Sequence, residues 1–274
     1  MLSAAVLLPA ALFCVWRGAP WFPVLVAAGA QGLASEWLGL CGFSGTRWEI
    51  PLRAALLAAA GFGAAGWLVT GIAVVLAMGA GVLAMAPSPR TPPRPGEAMP
   101  GLGWLRPPAH ALAFGFAYLG LATAALPWLR NDAAGWPNLL FVLCVVWGSD
   151  IGAYAVGRLA GGPKLAPAIS PGKTWSGAAG GLIAAVLAGA AVAACFSSGI
   201  SPSHLLASTL GLGILAQAGD LFESAAKRHF GVKDSGHIIP GHGGLLDRLD
   251  ALLAVAPAAA VLAHTVGRGA FLWR

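Results

Sequence analysis

The sequence predicts an all-α, polytopic integral membrane protein with about nine transmembrane helices. Three observations carry this. First, 58% of the 274 residues are hydrophobic and only 9% are charged, where a soluble domain would carry about a quarter charged residues. The mean hydropathy of +0.77 agrees. Second, the apolar residues fall in runs near the roughly 20 residues that a membrane-crossing helix needs. Third, the sparse charge is concentrated. Residues 219–250 (GDLFESAAKRHFGVKDSGHIIPGHGGLLDRLD) hold five of the ten acidic residues and three of the six histidines. Ionisable groups are costly in or beside a membrane, so by default they mark a functional site.

The elements follow in order. Residues 2–16 are apolar and closed by Arg17. The run has no basic start, so a retained first helix is predicted rather than a signal peptide. Residues 20–35 form a second helix that ends near Glu36 and Trp37, and 52–69 and 70–86 form a tight helical hairpin rich in Ala and Gly, which permits close packing. Residues 87–107 (PSPRTPPRPGEAMPGLGWLRP) cannot be one helix, because their prolines remove donors and clash with the preceding turn. Helices resume at 108–128, 137–160, 177–197, 203–229 and 247–266. The predicted organisation is therefore 1–86 as N-terminal helices serving folding, lipid access or dimerisation, 87–107 as a Pro-rich loop, and 108–274 as the catalytic transmembrane region. Residues 1–86 are expected to carry no essential charge chemistry, with Glu36 the acid to watch at the end of its apolar run.

Composition also excludes classes. Cys14, Cys41, Cys144 and Cys195 lie in or beside apolar runs and form no CxxC pair, so zinc and redox sites are not predicted. The net charge of +6 comes with no basic run or aromatic-basic platform, so nucleic acid is not a predicted partner. The basic residues instead report topology. Arg47, Arg53, Arg90, Arg94, Arg106, Arg158, Lys164, Lys173, Lys227, Arg228 and Lys233 lie in or beside the loops after helices two, four, six and eight. Arg17, Arg130, Arg268 and Arg274 lie on the opposite side. This bias puts the N-terminus and the charge-rich loops in the cytoplasm.

Two constellations carry chemistry. In the first, Trp147, Asp150, Tyr154 and Arg158 recur at three- and four-residue spacing and share a helix face. An aspartate in so apolar a helix needs a partner or a cation. The loop that follows offers Lys164, Ser170, Lys173 and Thr174 among glycines and leads into a helix near Ser176, an arrangement suited to phosphate. It is not a P-loop, since Pro167 stands where GxxxxGK[ST] requires Gly. In the second, Asp247 and Asp250 begin the last helix on one face after a glycine-rich turn, and Asp220 and Glu223 share a face of the preceding helix. Acids at a helix start also complement its dipole, and Glu223 is spaced to pair with Lys227. Asp220 has no basic residue one turn before it and is read as a metal ligand. Convergent carboxylates with room for water suit Mg²⁺. His242, in the Pro240-Gly-His-Gly-Gly turn, is a candidate for phosphate contact or proton handling. Together these residues form a kit for phosphoryl or nucleotidyl transfer.

The run Ser224-x-x-Lys227-Arg228-x4-Lys233-Asp234-x5-Pro240-Gly241-His242-Gly243-Gly244-x-x-Asp247-Arg248-x-Asp250 resembles the signature of the phosphatidate cytidylyltransferases, or CDP-diacylglycerol synthases. The segment from Asp150 to Lys173 resembles that family's second polar region. The resemblance is good beyond residue 140; before it, the polytopic layout and Glu36 agree. The sequence departs from the pattern at Gly172, where the family often has a second basic residue, and at Ser176, where it has Glu. The resemblance implies that CTP and phosphatidate give CDP-diacylglycerol and pyrophosphate with Mg²⁺, a second, monovalent cation being left open. It implies in-line attack of the lipid phosphate on the α-phosphorus. Asp220 and Asp247 would hold the metal, with Asp250 and Asp150 as further ligands. Lys173, Lys227, Arg228, Lys233 and Arg248 would contact phosphates, and Lys164, Ser170, Tyr154 and Ser224 would help bind substrate. The expected setting is a bacterial inner (cytoplasmic) membrane, among membrane lipids, with a cytoplasmic active site and a homodimer as an allowed assembly. The alternatives are CTP-dependent transfer to another lipid phosphate or a lipid alcohol, and an anion transporter. The transporter would call for repeat symmetry, which the sequence lacks.

Overall fold

The computed structural model describes residues 2–85, 87–89, 101–196, 199–238, 243–267 and 269–274. Most of the Pro-rich segment, and His242 with its neighbours 239–241, lie outside the described residues. Among those described, nine α-helices run in the predicted order: α1 Leu2–Arg17, α2 Trp21–Cys41, α3 Glu49–Ala64, α4 Leu68–Met85, α5 Pro108–Asn131, α6 Gly135–Ala160, α7 Trp175–Phe196, α8 Pro202–His229 and α9 Leu246–Val266. Seven of them are long and apolar enough to cross a membrane. The other two, α1 and α3, have 16 residues each. At 1.5 Å per residue that is about 24 Å, short of the roughly 30 Å hydrocarbon core.

Helix ends shift by several residues from the sequence reading, as at α3, predicted at 52–69 and found at Glu49–Ala64, and two differences bear on the site. Helix α2 continues past Glu36 to Cys41, because the Glu36 carboxylate is fully hydrogen-bonded and does not need to leave the helix. The segment predicted as a loop before α7 contains a small antiparallel hairpin, β1 Lys164–Ala166 and β2 Ser170–Thr174, with Lys164 opposite Thr174 and Ala166 opposite Ser170. Pairing satisfies backbone groups that a bare loop at a membrane edge would leave to water.

The chain forms two compact units. The first comprises residues 1–131 and 225–249. Helix α5 is its buried centre and packs against α2, α3 and α4. Small residues make this possible. A Cβ at Gly63 would run into the Ala124 carbonyl, and one at Gly115 into the Trp37 indole. That indole donates to the Ala111 carbonyl at 3.0 Å. Arg130 closes α5 by donating to the carbonyls of Val15 at 2.6 Å and Trp16 at 2.7 Å. It thus satisfies orphan acceptors at the end of α1.

The second unit comprises residues 132–224 and 250–274. Its main contact is α6 against α7, and glycines on both helices set it. A Cβ on Gly152 would meet the Ala184 methyl and lie 2.8 Å from the Gly180 carbonyl, and one on Gly180 would overlap Val156. Close backbone approach of this kind is how helices associate where lipid removes the hydrophobic drive. The C-terminal segment is anchored by Asn138, whose side chain donates to the Ala270 carbonyl at 2.9 Å and accepts from Leu272 N–H at 3.1 Å. Trp273 is fully buried 5.0 Å from the Phe141 ring.

The packing yields a testable contrast. Gly152→Val forces a side chain into the Gly180 backbone and should cost about 1–3 kcal/mol by overpacking. A Cβ at Gly211 would have nothing within 4 Å. That position should accept Ala with unchanged or slightly raised stability, since Ala favours helix by up to about 1 kcal/mol. Thermal unfolding of both purified variants in detergent checks this, and equal melting temperatures would refute the packing account.

Candidate active site

The second unit contains a cleft of about 670 Å³. Helix α6 contributes Asp150, Tyr154 and Arg158, the hairpin Lys164, Gly172 and Lys173, and α8 Gln217 and Asp220. Three of the four residues predicted to share the α6 face therefore line one cavity. The predicted lack of a basic neighbour for Asp220 is answered by the hairpin, since Lys173 Nζ lies 2.7 Å from Asp220 Oδ2. These side chains are 26% and 33% exposed, so water and incoming ligands reach the pair. Arg158 donates to the Tyr154 hydroxyl at 2.8 Å and its guanidinium lies 6.0 Å over that ring.

The frame around these groups is rigid for local reasons. Thr174 caps α7 by accepting the Gly177 N–H at 3.0 Å. Thr174, which also lines the cleft, thereby fixes the helix start. Ser176, one of the departures from the family pattern, donates to the Gly161 carbonyl and closes the base of the hairpin. At Gly172, the other departure, a Cβ would meet nothing within 4 Å. A long basic side chain there would have open space at the cleft wall. Gln217, which sequence reading missed, donates to the Ala178 carbonyl at 3.0 Å and to Ser149 Oγ at 3.3 Å, pinning α8 beside α6 and α7. Gly219 lets α8 approach α9 closely: a Cβ there would lie 2.7 Å from the Ala254 methyl and 3.0 Å from the Asp250 carbonyl. Asp250 Oδ1 accepts the Ala251 N–H at 2.8 Å, and this residue and Ser170 are not among those lining the cleft. Ser224 is half-buried on α8.

The first unit holds the other charged cluster. Lys227 Nζ meets Asp247 Oδ1 at 2.6 Å, with both side chains only 14% exposed. Asp247 Oδ2 accepts the N–H groups of Ser235 and Gly244, each at 3.1 Å. Arg228 donates to the Val232 carbonyl at 3.3 Å and shapes the turn after α8. Lys233 and Arg248 are exposed, where a soluble polyphosphate can reach them. Glu36 and Ser235 also belong to this cluster. The sequence signals for Glu36 were its place as a lone acid ending an apolar run and its agreement with the family layout, and for Ser235 there was none.

Metal fit follows from donor chemistry. Among the described residues, no three of His, Cys, Asp and Glu gather into one metal-ligating group. Mg²⁺ does not require this, because it is held by one or two carboxylates plus phosphate oxygens and water. Asp150 and Asp220, hard oxygen donors on facing helices of one wet cleft, meet that requirement.

The fold and the clusters together define a class, a polytopic membrane protein that gathers its scarce carboxylates and Lys/Arg side chains into two clusters. The model of the Cytidylyltransferase family matches residues 1–266, and the chain belongs to that family. It is 39% identical over 265 residues to a phosphatidate cytidylyltransferase of Brucella suis biovar 1, covering 93% of this chain and 89% of that protein. Proteins of the same name from Bacillus subtilis and Staphylococcus saprophyticus are 44% and 46% identical over 141 residues, about half of each chain.

The Lys227–Asp247 pair has a stability consequence. Removing one partner of a fully buried pair costs about 3–5 kcal/mol, and this part-buried pair should lose a smaller amount of the same sign, while replacing both groups costs less. Lys227→Met should therefore destabilise more than Lys227→Met combined with Asp247→Asn. Chemical denaturation of both variants measures the difference; additive losses would show that the two groups are not coupled.

Proposed function

We propose that this chain transfers the cytidylyl group of CTP to phosphatidate, releasing pyrophosphate and forming CDP-diacylglycerol in phospholipid biosynthesis. The observation that carries the reading is the open cleft in which Lys173 and Asp220 face each other, beside Asp150, Arg158 and Lys164, in a chain of this family. Mg²⁺ would be held by Asp220 and Asp150, and when bound it neutralises developing charge on the phosphates. For Asp247 we propose the ligand role that its place in the signature implies.

The remaining chemistry belongs to the chain's own side chains. Lys173 and Asp220 keep the cleft close to neutral by pairing with each other. An anionic phosphate can take over Lys173 and a cation can take over Asp220, so neither charge is left bare. Arg158 and Lys164 hold further phosphate oxygens at the exposed rim, and Arg228, Lys233 and Arg248 supply cations on the signature segment. The phosphatidate phosphate is already ionised near neutral pH, so no strong general base is required. The rigid α6–α7 frame orients the attacking oxygen in line with the leaving pyrophosphate.

Both reactants constrain the setting. CTP arrives from water and phosphatidate from a leaflet, so the site opens laterally near the cytoplasmic face of a bacterial inner membrane. The asymmetry of Arg and Lys between alternate loops supports this orientation.

Three outcomes test the proposal. With purified enzyme, phosphatidate and labelled CTP, pyrophosphate and CDP-diacylglycerol should form together and only with Mg²⁺. ADP and inorganic phosphate from ATP would indicate a lipid kinase instead. Asp220→Asn and Asp247→Asn keep the side-chain shape but lose the charge. Each should lower turnover roughly a hundredfold, or about 3 kcal/mol, with a shifted Mg²⁺ dependence, whereas Asp132→Asn retains an oxygen for the Gly269 N–H and should turn over normally. Wild-type rates in the first two would remove them from the reaction. Finally, a cysteine placed at exposed Asp234 in a background lacking Cys14, Cys41, Cys144 and Cys195 should react with an impermeant maleimide only in inverted vesicles. Labelling in right-side-out vesicles would reverse the orientation.

A further inference from the structure

We infer that Glu36 is a positioning residue for the reaction. Its buried carboxylate holds the start of α9, and through it the Asp247 carboxylate, in the orientation that meets Lys227. This rests on the reading that Asp247 and Lys227 serve cytidylyl transfer.

Glu36 is 4% exposed in an otherwise apolar stretch of α2. A charge so placed must be fully hydrogen-bonded, and its partners are specific. Oε1 accepts the Leu245 N–H at 2.8 Å. Oε2 accepts the Leu246 N–H at 2.7 Å and the Ser235 hydroxyl at 3.2 Å. The Leu245 and Leu246 amides are orphan donors of the last helix, and an anion at that end is also favoured by the helix dipole. Helix starts are commonly capped from their own sequence. This one is capped from 209 and 210 residues away, so it is a tertiary tie between α2 and the signature segment.

The tie reaches Asp247 in one step. Asp247 directly follows Leu246, and its Oδ2 is oriented by the N–H groups of Ser235 and Gly244. Ser235 is therefore gripped twice, by its hydroxyl on Glu36 and by its N–H on Asp247. The fit leaves no slack. A Cβ at Gly236 would lie 2.6 Å from Glu36 Oε1, and one at Gly244 would strike Ser235 Oγ and come within 2.8 Å of Asp247 Oδ2. One turn before Glu36, a Cβ at Gly32 would stand 3.0 Å from Leu245 Cδ2. Removing the Glu36 charge by amidation takes away one of the two acceptor oxygens this backbone uses and lets Asp247 drift from Lys227. A residue that acts only through another in this way alters the rate of the bound complex more than the binding of substrate.

The test uses full-length wild type, Glu36→Gln and Ser235→Ala, with steady-state kinetics and hydrogen exchange of backbone amides by mass spectrometry. Gln keeps one acceptor oxygen and turns an NH₂ group toward N–H donors. In Glu36→Gln, kcat per folded molecule should fall roughly 10- to 100-fold, the scale of a displacement near 1 Å, with KM for CTP and phosphatidate changed less than about threefold. Exchange at Leu245 and Leu246 should rise while α5 stays protected. Ser235→Ala should show the same pattern at a few-fold. Wild-type kcat and unchanged exchange at 245–246 in Glu36→Gln would overturn the inference. So would a loss that follows only the folded fraction, with exchange rising across α2 and α5 alike. Should Glu36→Gln not fold, Ser235→Ala decides by the same two readouts. Absence of CTP turnover by wild type would instead sink the functional reading, and the exchange arm would still show whether Glu36 holds the loop.

Discussion

An ionised group among apolar helices has to be met by a partner of opposite charge or by a full set of hydrogen bonds, and this requirement organises the polar structure of the protein. Lys227 meets Asp247 and Lys173 meets Asp220. Glu36 meets two amides and a hydroxyl. Arg130 meets the free carbonyls at the end of α1. Arg53 meets Glu49 at 2.7 Å, with Ser35 and the Gln31 carbonyl completing its fork. Most of these charges join elements distant in sequence, so the few charged residues of an apolar chain also tie its elements together.

The small residues serve the same end from the apolar side. Where lipid removes the hydrophobic advantage of helix contact, close backbone approach is the main attraction left. The glycines at 152 and 180 let α6 and α7 meet almost at van der Waals distance of their backbones. That contact places Asp150, Tyr154 and Arg158 along one wall of the cleft and aims the hairpin, tied to α7 through Thr174, at Asp220 on α8.

The helices were legible in the sequence because each is a local property, an apolar run bounded by charge, Gly or Pro. Candidate site residues were legible for a related reason: charge is so scarce here that its positions stand out. Their partners were not. The Lys173–Asp220 contact spans a hairpin whose two short strands alternate too briefly to read, and the capping of α7 by Thr174 was not read from the sequence. Glu36 is the instructive case. Its place at the end of an apolar run marked it as an acid to watch, whereas its burial against the signature segment, some 200 residues on, is a long-range fact that no local pattern encodes. The departure at Ser176 is likewise explained by a contact, since its hydroxyl closes the hairpin on Gly161.

The two ion pairs differ in a way that bears on their use. Lys173 and Asp220 are about a third exposed, so the pair is weakly held, and in water such pairs contribute about 0–1 kcal/mol. Separating it to admit ligand groups of matching charge costs little. Lys227 and Asp247 are shielded at 14% exposure, and Asp247 is further fixed by two backbone amides. That pair resists separation more than the first, so Asp247 meets any incoming group already oriented. The first arrangement is the looser of the two and the second the stiffer. The stiffness of the second depends in turn on how firmly Glu36 holds the backbone beneath it.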